Sequence, residues 1–376
     1  MNTITFQSDE PLLSRIKSLN YGLIFLVTLA GFIGFLCLYS AGGGNVNPWA
    51  MPHVVRFFLG FAMMIGVALI DIRWWYKMAW PIYILGFVLL IIVEIMGHVG
   101  MGAQRWIDLG IIKIQPSELM KLAVVMAMAR YFHGAEPDQV KRIFFLIPAA
   151  LIALAPVGLV LLQPNLGTSL MILMNGAAMF LMAGVPLWMF GVVIVAGLSA
   201  VPVVWSLMHD YQKQRVLTFL DPESDPLGSG YHITQSKIAL GSGGIDGKGF
   251  LQGTQSHLNF LPEKQTDFIF TLWAEEWGFM GGVFLLGLFG LIFMYGLYIA
   301  FRCRHNFGRY LALGLSVNFS LYIFINTAMV MGLIPVVGIP MPLISYGGTA
   351  MLAAMIGFGL MMSCSVYRDS KLSRPG

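Results

Sequence analysis

The sequence predicts an all-α integral membrane protein. Ten transmembrane helices are expected, with N- and C-termini both cytoplasmic and a large extracytoplasmic loop between helices 7 and 8. Three observations carry this reading. Hydrophobic residues make up 57% of the 376 positions and charged residues only 11%, with a mean hydropathy of +0.77, whereas soluble domains are roughly a quarter charged. Most of the chain divides into apolar runs close to the ~20 residues that cross a bilayer core. One polar island interrupts them: Leu207 to Asp267 holds 12 of the 40 charged residues and packs eight glycines between Gly228 and Gly253. The chain is read as a single polytopic domain, 1–376, with 207–267 as a loop within it.

The spans follow in order. Met1 to Leu19 is mixed polar, so no cleavable signal peptide is expected. Apolar runs occupy 21–40, 54–70, 79–97, 116–132, 143–162, 167–183, 186–206, 268–300, 309–332 and 346–366. Pro148, Pro156, Pro164 and Pro186 punctuate the fifth to seventh runs, where broken or re-entrant pieces are expected alternatives. Sidedness comes from the short loops, because long loops count weakly in the positive-inside rule. With the N-terminus inside, cytoplasmic segments carry 13 Lys and Arg; external segments carry 7, of which five lie in the island. The island therefore faces outward. The three cysteines (Cys37, Cys303, Cys364) lie in or beside apolar runs, so no disulfide holds it and no CxxC metal site exists. Basic residues are dispersed, which gives no sign of a nucleic-acid partner.

Arg56, Lys121, Glu94, Glu118, Glu275 and Glu276 fall inside the apolar runs. Ionisable groups at membrane depth are costly and face a cavity or a partner. On this topology all six lie in the outer halves of their helices, with Glu275 and Glu276 about 12 Å from Asp267 along one helix at 1.5 Å per residue. Polar chemistry thus gathers at one face.

Each motif admits a plain structural reading beside a chemical one. In Gln115-Pro116-Ser117-Glu118-Leu119-Met120-Lys121, Pro116 suits the first helical position and Glu118 favours the dipole. Glu118 and Lys121 share a face and form either a structural ion pair or, with Arg105, a cationic pocket for a phosphate-bearing ligand. Gln163-Pro164-Asn165-Leu166-Gly167-Thr168 is a turn. Arg215 either snorkels toward headgroups or holds a pyrophosphate. The glycines from Gly241 to Gly249 follow no strand, which excludes a P-loop and points to a mobile loop. Asp267 stands immediately before an apolar run, as a helix N-cap or as a general base desolvated beside Phe268 and Phe270. Ile334 to Thr349, with three prolines in eight residues, is a stiff plug or a wall for a lipid tail.

Taken in order, QRWIDLG, QPSELMK, QPNLGT, FLDPESDPLGSGY, QSKIALGSGG, GKGF, FLPEKQTDFIF, AEEWGF and PLISYGG resemble the SEDS family of cell-wall polymerases, over about Gln104 to Gly348. GTQSHLNFLPEKQTDF and LIPVVGIPMPLISYGG resemble the elongation branch, which sets rod shape, more than the division branch. The resemblance implies a peptidoglycan glycosyltransferase that polymerises lipid II, releasing undecaprenyl diphosphate and forming β-1,4 glycan. It implies work with a class B penicillin-binding protein transpeptidase and other elongation-complex proteins. It places the essential acid on Asp267 and supports Arg56, Arg105, Glu118, Lys121 and Arg215 as substrate-binding residues. One departure is plain: Asn165 stands where the family often has an acid. No metal ligand set and no cofactor is assigned, although convergence of Asp267, Glu263 and Glu118 would suit a divalent metal. Two rivals are a lipid II flippase, which would need polar residues through both leaflets, and a non-catalytic scaffold for the transpeptidase, which would need no clustered base and cations.

Overall fold

The computed structural model describes residues 11–96, 98–100, 103–108, 113–163, 165–208, 210–221, 229–258, 260–261 and 263–372. After a short α1 (Leu12–Lys17) come α2 (Tyr21–Ala41), α3 (Ala50–Leu69) and α4 (Ile72–Met96). Three short strands follow, β1 (His98–Gly100), β2 (Ala103–Asp108) and β3 (Lys113–Ile114). Then come α5 (Pro116–His133), α6 (Ile143–Leu162), α7 (Leu166–Ala183) and α8 (Leu187–Leu207). The island contributes α9 (Asp210–Leu220), α10 (Ser229–Ser242) and α11 (Thr254–His257), before α12 (Ile269–Arg302), α13 (Asn306–Val330) and α14 (Gly348–Val366).

Among the described residues, ten long helices lie at the ten expected spans, and eight of them are long and apolar enough to cross a membrane. α5 is an inner helix whose polar first turn lowers its hydropathy, and all but a few of its residues are buried. α8 is peripheral, with Val192, Val193, Val195 and Leu198 each more than half exposed. α6 runs unbroken through Pro148 and Pro156, and α8 through Pro202, so no break interrupts either helix. The segment between α4 and α5 adds an antiparallel ribbon, β1–β2–β3, to an otherwise helical chain. Its register, Ile107 opposite Ile114 and Asp108 opposite Lys113, folds the QRWID motif back onto the start of α5.

Local chemistry marks the helix ends. The Asn20 side chain accepts a bond from Leu23 N, and Pro116 opens α5 where its missing N–H costs nothing. Asn165 caps α7 by accepting from Thr168 N at 3.4 Å, a task that a carboxylate or an amide performs. Between helices in lipid there is no hydrophobic drive, so small residues that allow close approach matter. A Cβ on Gly359 of α14 would stand 2.6 Å from the Met64 carbonyl of α3, which sets that contact. α5 and α13 form the centre of the bundle. Chain direction puts the starts of α5, α7, α12 and α14 at the same end as the island; the starts of α2, α4, α6 and α13 lie at the other.

At that other end His305 caps α13, its Nδ1 accepting from Gly308 N at 2.9 Å while Nε2–H donates to the Tyr367 carbonyl at 3.4 Å. Burial is the main force holding this imidazole down at about 4, against the opposing bond to Tyr367. A folded pKa below the unfolded 6.5 means that the cap is intact above 6.5 and lost as pH falls toward 4. Over that window its contribution of about 3 kcal/mol should disappear. His305→Asn keeps a cap acceptor without the titration. Thermal melting from pH 7.5 to 4.5 should fall less steeply for this variant than for the parent; parallel curves would refute the assignment.

Candidate active site

The site begins with a break in α12. Gly278 has φ 65° and ψ −163°, a conformation that only glycine adopts readily. It divides the expected run 268–300 into a short helix, 269–277, and a longer one of about 36 Å beyond it. Backbone released by the break pairs with the glycine-rich stretch. Phe279 N donates to Gly244 O at 2.9 Å, Met280 N to Ile245 O at 3.1 Å, Lys248 N to Glu275 O at 3.1 Å, and Gly249 N to Glu276 O at 3.0 Å. A Cβ on Gly243 would stand 2.3 Å from the Ala274 carbonyl, and one on Gly247 2.1 Å from the Glu276 carbonyl. These glycines are therefore a packing surface rather than a free loop.

Glu275 and Glu276 hold the same seam, which corrects their placement on an unbroken membrane helix. The fully buried Glu275 carboxylate accepts from Lys248 Nζ (2.8 Å), Gln255 N (2.8 Å), Ser256 N (3.2 Å) and Ser256 Oγ (2.8 Å). An acceptor at the exposed N–H groups of α11 is the side-chain equivalent of a helix cap. Glu276 takes bonds from Ser40 Oγ of α2 and from His257 Nε2 at 3.3 Å. Lys264 closes the loop, donating to Ser256 O at 2.7 Å.

Asp267 lies in the turn ahead of α12. The N-cap position falls on Phe268, one residue beyond Asp267. A Cβ on Gly338 would stand 3.3 Å from Asp267 Oδ2, which sets the carboxylate against the proline-rich loop before α14. That loop is bolted to the same turn. Tyr346 N donates to Gln265 O at 2.7 Å, and Ser345 Oγ to Thr266 O at 2.6 Å. Arg56 of α3 reaches the loop from the other side: Nη2 donates to Tyr346 Oη at 3.1 Å, and the guanidinium stands 4.5 Å over the ring.

The remaining expected residues divide. Glu118 and Lys121 form the predicted pair at 2.7 Å, and both are buried, Lys121 to 1% exposure. Glu118 also accepts from Tyr322 Oη of α13, and Lys121 Nζ stands 4.1 Å from the centre of the Tyr322 ring. The arrangement is closed, with no face of Lys121 open to solvent. Arg105 on β2 donates Nε–H to Gln163 O at 3.2 Å, joining the ribbon to the end of α6. Arg215 lies on α9; its side chain, and the PESDPLG stretch at 222–228, lie outside the described residues.

Sequence reasoning missed the polar stripe on α13. Asn318 accepts from Asn175 Nδ2 of α7 at 2.7 Å, Tyr322 donates to Glu118, and Asn326 Nδ2 donates to Asp267 O at 2.8 Å and to Ile339 O at 2.7 Å. The signal was present as spacing: three polar residues at i, i+4 and i+8 make one helical stripe. It was lost in an otherwise apolar run. Among the described residues no three His, Cys, Asp or Glu side chains gather as a metal site. Glu118 is taken by Lys121 and Tyr322, and Glu263 by Thr266 and Gln265. A cavity of about 540 Å³ beside Tyr295, Arg302 and Arg368 lies at the opposite end of the bundle.

The break at Gly278 is tested against a neighbour. Gly278→Ala would force a side chain into a left-handed conformation and 2.3 Å from Gly247 N, costing about 3 kcal/mol or more. Gly287→Ala, in open space on the same helix, should be neutral or stabilising by up to about 1 kcal/mol. Melting temperatures in detergent would separate the two; equal values would mean that the break carries no weight.

A family model described as a cell cycle protein, FtsW/RodA/SpoVE, matches residues 20–370. The peptidoglycan glycosyltransferase MrdB of Escherichia coli (strain K12) is 44% identical over 335 residues, covering 89% of this chain and 90% of that protein. The crystal structure of the rod shape determining protein RodA of Thermus thermophilus aligns with a TM-score of 0.72 at 28% identity, covering 94% of this chain and 98% of that one. A chain from a peptidoglycan synthase complex, solved for the coordination of polymerization and crosslinking, aligns with a TM-score of 0.82 at 32% identity, covering 94% and 99%.

Proposed function

The chain belongs to the FtsW/RodA/SpoVE family, and on that premise we propose that it polymerises lipid II with Asp267 as the general base. It is a multi-pass membrane protein and a peptidoglycan glycosyltransferase of the SEDS type, as its relatives are named. The reaction joins the 4-hydroxyl of an acceptor sugar to the anomeric carbon of a lipid-linked donor. The hydroxyl proton goes to Asp267, the new β-1,4 bond forms with inversion, and the undecaprenyl diphosphate leaves. Two demands follow: a positioned base and cations facing the leaving group.

The observation that carries the base assignment is the state of the Asp267 carboxylate. It stands in the turn ahead of a short buried helix and is set against the proline-rich loop that Arg56 grips from α3. Arg56, Arg105, Glu118, Lys121 and Arg215 complete the proposal as substrate-binding residues. Arg56 holds one lipid diphosphate, and Arg105, Lys121 and Arg215 hold the other, with Glu118 orienting Lys121. In the closed seam between α5, α7 and α13, Lys121 meets a phosphate only when the helices part. Ten crossings, cytoplasmic termini and the island on the outer face of the bacterial inner membrane complete the picture, because lipid II is consumed outside. The working partner is a class B penicillin-binding protein, in keeping with the synthase complex that this chain resembles. Flippase and scaffold readings have less support. Among the described residues the buried Glu and Lys side chains (Glu118, Lys121, Lys264, Glu275, Glu276) lie toward the island end, while the histidines His133 and His305 are buried at the other end.

Purified Asp267→Asn, with melting unchanged, should polymerise lipid II at least ~100-fold more slowly than the parent. A rate within a few-fold of the parent would remove Asp267 from the base role.

A further inference from the structure

We propose that Asn326 is a positioning residue for Asp267, resting on the reading of Asp267 as the base. One amide group makes both contacts: Nδ2 donates to the Asp267 carbonyl at 2.8 Å and to the Ile339 carbonyl at 2.7 Å. Both neighbours are carbonyl oxygens, which only an N–H can meet, so the orientation of the amide follows from chemistry. The side chain is fully buried, so water does not compete for those bonds. Asn326 thereby ties the turn that presents the base to the loop that faces it. Ile339 follows Gly338, the residue against which Asp267 Oδ2 lies.

The helix that carries Asn326 makes the tie informative. Tyr322, one turn earlier and about 6 Å along the axis, donates to Glu118 of the Glu118–Lys121 pair. α13 is thus a rigid rail with the base turn held at one rung and the cation pair at the next. Small misplacements of a reacting group carry large rate penalties, because the geometry of attack is set before the chemistry starts. Asn326 touches neither the reacting atoms nor the sugar; it acts through the Asp267 backbone.

Asn318 provides a matched control. It sits two turns away on the same face, is also buried, and makes one side-chain bond, with Asn175, remote from Asp267. Lipid II polymerisation is to be measured with the full chain in liposomes for Asn326→Ala, Asn318→Ala and Asp267→Asn, alongside thermal melting. Asn326→Ala should lower kcat by about 10- to 100-fold with KM within about threefold. Asn318→Ala should lose comparable thermal stability and keep kcat within about threefold. If the two variants lose kcat in parallel with their melting temperatures, Asn326 is only structural and the proposal fails. If Asn326→Ala does not fold, Asn326→Gln retains both donors on a side chain one methylene longer. That variant should fold and lose kcat, and full kcat in it would overturn the proposal. Activity surviving in Asp267→Asn marks a separate failure, that of the base assignment itself.

Discussion

Everything at the island end depends on where backbone hydrogen bonds go when α12 breaks. In a bilayer an unpaired N–H or C=O costs several kcal/mol, roughly the value of a lost buried hydrogen bond, so non-helical backbone survives only where protein satisfies it. At Gly278 the groups freed by the break are met by 244–249, and Glu275 takes up the N–H groups at the start of α11. The short helix 269–277 is thus fastened to the island instead of rising straight from the bilayer. Asp267 sits at the free end of that helix, and its height and tilt are consequences of the seam.

A second layer of constraint lies in the centre. Glu118 and Lys121 of α5 are joined to Tyr322 of α13, and Asn326 of the same helix holds the Asp267 and Ile339 carbonyls; these four side chains are buried. Burying charge is weak evidence for stability, since a well-packed apolar replacement often does as well. What such a network supplies is register. Sliding or rotating α13 by one residue would strand several polar groups at once. The bundle centre therefore has one arrangement, and the two sides of the proposed site keep their spacing.

The legible part of the site was chemical. Ionisable residues in apolar runs stood out by cost alone, and Arg56, Glu118 and Lys121 were found that way; the ordered motifs added Asp267. Asn326 was not found because an amide in an apolar run carries no charge penalty large enough to notice, and its two partners are backbone carbonyls that no sequence displays. Glycines were misread for a related reason. Eight in a polar stretch look like freedom, yet Gly243 and Gly247 are small because carbonyls of α12 lie where a Cβ would be.

Alternating composition thus determined the class of protein, the position of nearly every helix and the island, since apolar length and turn residues act locally. Asn20, Pro116 and Asn165 mark their helix starts by local chemistry as well. Only the tertiary structure decided that one apolar run is two helices, that Glu275 and Glu276 anchor a loop, and that Asp267 leaves the cap position to Phe268. Each of those outcomes turns on a contact between residues roughly 20 to 70 positions apart, such as Gly247 with Glu276 or Asp267 with Gly338. Local propensity has no term for such meetings; they come from the three-dimensional requirement that every buried polar group find a partner.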